Sequence, residues 1–345
     1  MIQFDSDYLE GCVPPILEAL RTTNFVQTSG YGEDKYCRRA AELIRKACDA
    51  PSAEVHFLVG GTQTNITVIS HLLRPYQGVI CAESGHINVH ETGALEHSGH
   101  KALPLPTSDG KITAAAIDRA ISDHYNDASR EHMAQPAMVY ISFPTEKGTL
   151  YSKAELTEIR DICSKWNIPL FIDGARLGYG LCASPDVTLK DIAACADVFY
   201  IGGTKQGALF GEAVVFTKAD LAGDFRYNIK QNGGMLAKGR LLGIQFETLF
   251  TDDIYYKYAR SAVEKALEIK AKFEEKGVSF LVDSPTNQQF PILYDDMIEE
   301  LRKSFSFETW QKIDDNRTAV RFCTSWATTN EAVAALKSEI DRLFK

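Results

Sequence analysis

The sequence predicts an α/β protein in which helices cover both faces of a mostly parallel sheet. Two observations support this fold class. Short apolar runs alternate with longer amphipathic segments through most of the chain, as strands alternate with helices in parallel sheets. Several of these runs end in a polar side chain among small residues, which is typical of strands that present functional groups at one edge of a sheet.

The length indicates a large domain joined to a smaller one. The chain has 345 residues, more than one small hydrophobic core normally organises. We expect a large domain in residues 1–245 and a smaller α+β domain in residues 246–345, and residues 1–20 could pack on the smaller one. The sequence contains no repeat and no low-complexity linker, so the boundary is placed only by the change of pattern near residue 245.

The predicted large domain begins with a helix at 34–48, which Asp34 caps. A second helix, 62–73, directly follows two glycines, and a third occupies 153–166. Buried-type strands are expected from short apolar and β-branched runs. They are 55–59, 79–81, 137–143, 169–172, 198–201 and 213–216.

The second part of the chain begins with a long helical region. Residues 236–276 have a helical pattern that is broken near Thr251 and Asp252. After this region, short strands and helices alternate, as expected of a smaller α+β unit. They are strands 289–293 and 319–323 and helices 296–304 and 330–343.

Composition narrows the class of protein. The formal net charge is −9 and 45% of the residues are hydrophobic, so nucleic acid and anionic membranes are not expected as partners. No apolar run approaches the ~20 residues of a membrane span, and the N-terminus lacks the basic and apolar regions of a signal peptide. The eight cysteines form no C-x-x-C pair and are expected to be reduced. We therefore expect a cytoplasmic protein.

Two segments contain the clearest chemical signal. They are F-I-D-G-A-R at 171–176 and Y-I-G-G-T-K-Q-G at 200–207. A carboxylate such as Asp173 can keep a pyridine nitrogen protonated, and an amine such as Lys205 can form a Schiff base, so the pair favours a pyridoxal phosphate cofactor. The small neighbours of Lys205 would leave room for a planar ligand. Arg176 could bind a substrate carboxylate through two hydrogen bonds.

Structural interpretations compete with these assignments. Asp173 and Arg176 could form a salt bridge with each other, and Lys205 could be an exposed loop lysine, the commonest fate of lysine. The segment G-G-T-Q-T-N at 60–65 joins a predicted strand to a predicted helix, where glycines and free N–H groups suit a phosphate. It could equally be a tight turn without a ligand.

Several histidines follow the predicted strand that ends at Cys81. The imidazole of His86 could stack on a cofactor ring or exchange protons near neutral pH. His86 with His90, and His97 with His100, have spacings that also occur in metal sites. A metal site stays open as an alternative, but no acidic or cysteine cluster accompanies these histidines and we assign no metal ligand.

In their order and spacing, these segments resemble the threonine aldolase group of pyridoxal-phosphate-dependent lyases, which have the aspartate aminotransferase fold (fold type I) with a large seven-stranded sheet. The resemblance covers nearly the whole chain. It is carried by F-D-S-D at 4–7, G-Y-G-E-D at 30–34, G-T-Q-T-N at 61–65, G-H-I at 85–87, I-D-G-A-R at 172–176, G-T-K-Q-G at 203–207, G-G-M at 233–235 and A-V-R-F at 319–322. It implies an enzyme that cleaves L-threonine, L-allo-threonine or a related β-hydroxy-α-amino acid into glycine and an aldehyde.

The resemblance also implies which residues bind the cofactor. Lys205 would carry pyridoxal phosphate covalently, Asp173 would bind the ring nitrogen, and His86 would stack on the ring and, directly or through a water, act as the base. These three would be the catalytic residues. The cofactor-binding set would be completed by Gly61, Thr62, Gln63, Arg176 and Thr204, with the phosphate held by Gly61, Thr62 and Thr204.

The substrate site is implied in the same way. Ser6, Arg176 and Arg321 would bind the substrate carboxylate. Tyr31 would approach the site from a neighbouring subunit, because active sites of this fold type lie between subunits. The resemblance therefore implies a homodimer or a homotetramer that shares its active sites.

The sequence departs from the family pattern in two places. The family's E-N-T-H-N, with a histidine near the substrate hydroxyl, corresponds to S-F-P-T-E at 142–146. The phosphate-binding arginine of G-G-G-M-R-Q is replaced by Leu236, and Lys230, Lys238 or Arg240 could take its place.

Two other functions stay open at this point. One is another pyridoxal-phosphate-dependent reaction on the same scaffold, such as β-elimination, since one fold supports several chemistries. The other is a protein without this cofactor, either a histidine-metal enzyme or a binding module without catalytic activity.

Overall fold

The computed structural model describes residues 1–344. Strands and helices alternate along most of this range. The strands are β1 (Ile2–Gln3), β2 (Glu54–Leu58), β3 (Gln77–Ala82), β4 (Lys101–Leu105), β5 (Gln135–Ser142), β6 (Leu170–Asp173), β7 (Val198–Gly202), β8 (Glu212–Phe216), β9 (Gln288–Gln289), β10 (Ile292–Tyr294), β11 (Phe305–Ser306), β12 (Glu308–Lys312) and β13 (Arg317–Cys323). The helices are α1 (Pro14–Thr23), α2 (Lys35–Cys48), α3 (Gly61–Leu72), α4 (His86–Val89), α5 (Ala94–His97), α6 (Ala114–Asn126), α7 (Lys153–Trp166), α8 (Leu177–Ala183), α9 (Leu189–Cys195), α10 (Phe225–Gln231), α11 (Arg240–Leu249), α12 (Ile254–Glu275), α13 (Asp295–Leu301) and α14 (Asn330–Leu343).

The large sheet has seven strands within residues 1–344, in the order β2-β8-β7-β6-β5-β3-β4. Strands β7, β6, β5, β3 and β4 are parallel to one another, whereas β8 is antiparallel to both β7 and β2. Ser142 at the end of β5 is in register with Asp173 at the end of β6. The carboxyl ends of the parallel strands therefore meet at one edge, which confirms the predicted mostly parallel α/β fold.

Both faces of the large sheet are covered by helices. Successive residues of a strand point to opposite faces, and in β6 Phe171 packs in one buried cluster while Ile172 packs in the other. Helices α2, α7, α9 and α11 contribute to the Ile172 side, and α3 and α10 to the Phe171 side. Burying a side chain of this size stabilises the fold by about 1.5–3 kcal/mol, so the continuous apolar runs of these strands follow from burial on both faces.

A separate cluster surrounds the antiparallel strands of the C-terminal part. Strands β10, β12 and β9 all pair with β13. Strand β1 pairs in parallel with β11, and Phe4 packs at a ring-centroid distance of 6.1 Å from Phe322. Helix α11 contains residue 245, and Phe246 of that helix still packs with the large sheet. The division of the chain at residue 245 remains a prediction.

Most elements agree with the sequence-based expectations, and the differences have physical causes. The predicted strand 289–293 is split into β9 and β10, because Pro291 has no N–H to donate to a ladder. The predicted helical region 236–276 starts later, at Arg240, and consists of α11 and α12. Eleven elements had no predicted counterpart, namely β1, α1, α4, α5, β4, α6, α8, α9, α10, β11 and β12. Across residues 1–344, none of the helices combines the length and the apolar character that crossing a membrane requires.

We expect Asp34→Ala to lower the free energy of unfolding by about 1 kcal/mol. The Asp34 carboxylate accepts hydrogen bonds from the N–H groups of Tyr36 at 2.9 Å and Cys37 at 3.0 Å, which begin α2. Urea unfolding of both proteins would measure the difference. Glu42→Ala on the exposed side of the same helix is the control, and an equal loss in both variants would contradict the capping role.

Candidate active site

A cavity of about 340 Å³ lies at the carboxyl edge of the parallel strands. It is open to ligands and is formed by loops that follow β2, β3, β5, β6 and β7. Seven of the residues predicted for the cofactor and substrate line it: Gly61, Thr62, His86, Asp173, Arg176, Thr204 and Lys205. The tertiary structure thus brings together side chains that are widely separated in sequence.

Asp173 is the last residue of β6 and is buried. Its Oδ2 accepts hydrogen bonds from the hydroxyl of Tyr140 at 2.5 Å and from Nδ2 of Asn65 at 3.3 Å. Its Oδ1 accepts from the N–H of Ala175 at 3.0 Å. Burial and the nearby Asp173 carboxylate raise the pKa of Tyr140 well above its usual value, so the phenol remains a hydrogen-bond donor. These three donors hold the Asp173 carboxylate in one orientation at the cavity wall.

A chain of hydrogen bonds continues from Asp173 to His86. Nδ2 of Asn65 also donates to Oε1 of Glu91 at 2.8 Å. The same Glu91 oxygen lies 2.7 Å from Nδ1 of His86. Because a carboxylate oxygen accepts, Nδ1 of His86 carries the proton in this hydrogen bond. Glu91 thereby sets both the ring orientation and the tautomer of His86.

Lys205 lies in the turn that follows β7. Burial and the positive charge of Arg176 lower the pKa of its amine, although Asp7, Asp173 and Glu212 act in the opposite direction. A lowered pKa raises the fraction of uncharged amine, which is the form that attacks a carbonyl carbon. Lys205 therefore lines the cavity as a potential nucleophile, not as an exposed loop lysine.

Two glycines at the ends of β6 and β7 lie close to backbone atoms of the neighbouring strand. A Cβ on Gly174 would lie 1.9 Å from the carbonyl oxygen of Tyr200, and a Cβ on Gly202 would lie 2.3 Å from that of Ala175. These are backbone atoms that cannot move aside easily. The two glycines therefore allow the ends of β6 and β7 to approach each other, and the expectation that the small neighbours of Lys205 leave room for a planar ligand stays a prediction.

Thr204 has its hydroxyl group engaged within the protein. Its Oγ1 donates to Oε1 of Glu212 at 2.9 Å and accepts from the N–H of Gly211 at 3.0 Å. Burial raises the pKa of Glu212 to about 8. In this arrangement the Thr204 hydroxyl donates to Glu212 and not toward a phosphate, so its predicted phosphate contact requires a change of partner.

The first turn of α3 forms another part of the cavity wall. The first hydrogen bond of this helix joins the N–H of Thr64 to the carbonyl of Gly60 at 3.0 Å. The preceding N–H groups, on Gly61 and Thr62, have no intrahelical acceptor and can bind an anion. Gln63 is placed differently, because its side chain accepts from Val59 N–H and donates to the carbonyl of Asn232 at 2.9 Å.

Arg176 forms a buried, bidentate ion pair with Asp7. Nε of Arg176 lies 2.7 Å from Oδ2 of Asp7, and the second bond is 3.0 Å long. Asn287 donates a further hydrogen bond to Asp7 at 3.0 Å. Burial alone would raise the pKa of Asp7, but Arg176 and Lys205 hold it below its usual value. The alternative of a salt bridge between Arg176 and Asp173 is wrong, because Asp7 is the partner.

Two predicted carboxylate ligands lie outside the cavity wall. Ser6 is buried, and its Oγ has no hydrogen-bond partner within residues 1–344. The guanidinium of Arg321 is buried and donates to Oε1 of Gln288 at 3.1 Å and to the carbonyl of Asp5 at 2.9 Å. It also pairs with Glu308 on the neighbouring strand β12. A substrate carboxylate at Arg321 would have to share it with these partners.

Tyr31 lies on a different surface of the chain, beside other cavities. It adopts a left-handed backbone conformation with φ of 58°. Of the residues considered as substitutes at Leu236, Lys230 has its Nζ 5.1 Å from the Tyr31 ring centroid. Arg240 instead donates to the carbonyl groups of Thr23 and Val26.

The histidines after β3 do not assemble a metal site in the described structure. The rings of His86 and His90 are 5.6 Å apart and tilted, and His100 contacts the carbonyl of Gln77. Within residues 1–344, no three His, Cys, Asp or Glu side chains form a group suited to a metal ion.

Sequence reasoning missed several residues of the cavity wall. Tyr8, Glu146, Tyr200 and Glu212 all line it. Tyr8 directly follows the F-D-S-D segment, and Glu146 closes the S-F-P-T-E segment, so both were within reach of the motif analysis. Glu212 begins a buried strand, where nothing in the local pattern distinguishes it.

Comparisons with known proteins agree with this geometry. A family model described as beta-eliminating lyase matches residues 3–303. The low specificity L-threonine aldolase of Pseudomonas aeruginosa is 33% identical over 98% of this chain and 96% of its own length. That of Pseudomonas sp. is 32% identical with the same coverage.

Solved structures show the same likeness. A threonine aldolase from Leishmania major has a TM-score of 0.97 and 43% sequence identity over 100% of both chains. An aspartate aminotransferase from Thermus thermophilus has a TM-score of 0.73 at 13% identity over 99% of this chain and 91% of its own. The second likeness shows the fold alone, and it confirms the predicted aspartate aminotransferase type.

We expect Asp7→Asn to lower the free energy of unfolding by about 3–5 kcal/mol at neutral pH, because it leaves Arg176 as a buried unpaired charge. Since the folded-state pKa of Asp7 lies below its unfolded value, its stabilising contribution is present above about pH 4 and is lost as the pH falls through the folded-state pKa. The difference between wild type and variant should therefore shrink in acid. Urea unfolding at several pH values would measure it.

Asp314→Asn is the matched control for this experiment, because Asp314 pairs with Arg317 at the exposed surface. It should change stability far less than Asp7→Asn. A loss of similar size in the two variants would show that the Asp7 pair has no special importance.

Proposed function

The chain belongs to the beta-eliminating lyase family and, within it, to the threonine aldolases, and we propose that it cleaves the Cα–Cβ bond of L-threonine, L-allo-threonine or a related β-hydroxy-α-amino acid to give glycine and an aldehyde. The observation that carries this proposal is that Lys205, the hydrogen-bonded Asp173 carboxylate and His86 line one cavity. The β-eliminating alternative is not favoured, because two relatives that each align with 98% of this chain bear the name of low specificity L-threonine aldolase.

The residues of the cavity fit pyridoxal phosphate, the cofactor that the family implies. A buried carboxylate with three donors suits a protonated ring nitrogen, and an amine of lowered pKa suits covalent attachment. The free N–H groups at the start of α3 suit the phosphate. When bound, the cofactor supplies an electron sink for the pair released from the broken bond.

We assign each cofactor contact to a residue of this chain. Lys205 would hold the cofactor covalently, Asp173 its ring nitrogen, and the ring of His86 one face. Gly61 and Thr62 would hold the phosphate through their N–H groups. The side chains of Gln63 and Thr204 are hydrogen-bonded to Asn232 and Glu212. To bind the cofactor, these side chains would have to exchange partners, or the two residues would have to bind it through their backbone groups.

The substrate carboxylate would be bound by the guanidinium of Arg176 at the cavity wall. Two of its nitrogens already donate to Asp7, which holds the planar group in one orientation and lowers the entropy lost on binding. Arg321 and Ser6 are the further predicted carboxylate ligands. Fixing the carboxylate and the amine of the substrate sets the orientation of its Cα–Cβ bond, which determines the bond that breaks.

We further propose a homodimer or homotetramer in which Tyr31 and Lys230 complete the site of a neighbouring subunit. The aromatic and cationic pair lies on the surface away from the cavity of its own chain, which supports a role toward another copy. A cytoplasmic location is supported by the eight cysteines, all of which are free, since disulfides are rare in that compartment.

The purified protein with pyridoxal phosphate should convert L-threonine to glycine and acetaldehyde, and Lys205→Ala should abolish this activity together with the visible absorption of the lysine-bound cofactor. The reason is that this amine alone makes the covalent link. An aldehyde assay and an absorption spectrum measure the two effects. Lys257→Ala, which changes an exposed side chain of α12, is the control. Retention of the absorption band in Lys205→Ala would refute the assignment of Lys205.

Arg321→Ala should raise KM for L-threonine roughly 10- to 100-fold while the cofactor stays bound, because a hydrogen bond to a charged group contributes about 1.5–3 kcal/mol. Steady-state kinetics and the cofactor absorption measure the outcome. Arg317→Ala, an exposed change on the same strand, should leave KM unaltered. Loss of the cofactor absorption without a rise in KM would show that Arg321 contributes to cofactor binding and not to substrate binding.

A further inference from the structure

Glu146 enters the cavity from the turn that follows β5. Its Oε1 accepts hydrogen bonds from the backbone N–H of His86 at 2.9 Å and from the hydroxyl of Ser142 at 2.7 Å. The turn itself is closed by a bond from Gly148 N–H to the carbonyl of Thr145 at 2.8 Å. The Glu146 carboxylate is therefore held in place by two donors on separate elements. None of the contacts assigned above to the cofactor or to the substrate carboxylate involves Glu146.

The second oxygen of Glu146 is free for another partner. No other residue within residues 1–344 donates a hydrogen bond to Oε2, and Oε2 is not among the fully buried side-chain atoms that lack a partner. Glu146 lines the same cavity as His86, Asp173 and Lys205. A carboxylate with one anchored oxygen and one open oxygen is arranged to accept a hydrogen bond from a bound molecule.

The surroundings of Glu146 suit proton transfer. Burial and the negative charge of Asp173 raise its pKa, while the hydroxyl of Ser142 and the N–H of His86 act in the opposite direction. A carboxylate whose pKa is raised is a stronger base than an ordinary carboxylate, which suits it to accept a proton from a bound molecule. Raised pKa values combined with a cavity position are typical of catalytic acids and bases.

We propose that Glu146 is the catalytic residue that binds the β-hydroxyl group of the substrate and removes its proton. This inference depends on the proposed aldol cleavage. The O–H bond breaks and its proton passes to Oε2 of Glu146, while a carbonyl group forms between Cβ and oxygen. The Cα–Cβ bond breaks and its electron pair stays on the Cα side. A proton returned to Cα completes glycine, so protons and electrons balance without an oxidant or a reductant.

His86 is the competing base, and the geometry distinguishes the two. Nδ1 of His86 is engaged with Glu91, and the backbone N–H of His86 is one of the two groups that hold Glu146. An imidazole that lies face-on against a planar cofactor directs its nitrogens along its own plane. His86 therefore positions Glu146, and Glu146 presents the free oxygen.

The test compares the reconstituted wild-type enzyme with Glu146→Gln in two reactions. The first is cleavage of L-threonine, and the second is exchange of the glycine α-proton with deuterium, followed by NMR. We expect kcat for cleavage to fall about 100- to 10,000-fold. Glycine exchange should stay within about threefold of wild type, because glycine has no hydroxyl group to deprotonate. Glu264→Gln on the exposed side of α12 is the matched control.

Each other outcome would overturn the proposal. An equal fall in cleavage and exchange would show that Glu146 only supports the cofactor site, and unchanged cleavage would place the base elsewhere. A wild-type enzyme that exchanges glycine but releases no aldehyde from any β-hydroxy-α-amino acid would overturn the proposed function and this inference with it. The cofactor absorption of each variant shows whether the site is loaded.

Ser142→Ala provides a second variant that leaves Glu146 unchanged. It removes one of the two donors that hold Oε1, so cleavage should fall roughly tenfold while glycine exchange persists. This smaller change in the same direction would support the role of Glu146 even if Glu146→Gln folds poorly. A larger loss of exchange than of cleavage would contradict it.

Discussion

The buried ion pair between Asp7 and Arg176 is the contact on which the arrangement of the site depends. Removing two charges from water is costly unless they are paired with good geometry, and here two hydrogen bonds join them while Asn287 satisfies the carboxylate further. Asp7 belongs to the N-terminal segment, Arg176 to the turn after β6, and Asn287 to the segment before β9. One carboxylate therefore connects three distant stretches of the chain beside the cavity.

The same low-dielectric environment explains the network around Asp173. Unpaired polar groups in the interior lose their hydration without compensation, so the acidic side chains of the site each have defined donors. Tyr140 and Asn65 donate to Asp173, and Asn65 also reaches Glu91, which orients His86. The network makes the position of the His86 ring depend on the Asp173 carboxylate at the end of β6, and this coupling favours a rigid, pre-organised site.

Local sequence features predicted the parts whose causes are local. Helix α2 with its Asp34 cap and helix α7 appeared where their periodicity indicated, because capping and amphipathicity involve residues only a few positions apart. Glu212 was not predicted as a site residue, since it begins an ordinary buried strand and is linked to the site through its hydrogen bond with Thr204. Glu146 stood in a segment that departed from the family pattern, but its direction toward the cavity could not be inferred from spacing.

The sequence by itself predicted the fold class, because strand and helix periodicity is encoded within short segments. The resemblance of its motifs indicated the family, and Asp173 and Lys205 were singled out as the candidate chemical centre. Only the tertiary structure decided the partners of these groups. It joined Arg176 to Asp7 instead of Asp173, engaged Arg321 with Glu308, and left one oxygen of Glu146 open to the cavity. Such pairings depend on distances through space between segments that are far apart in sequence, so local sequence patterns do not predict them.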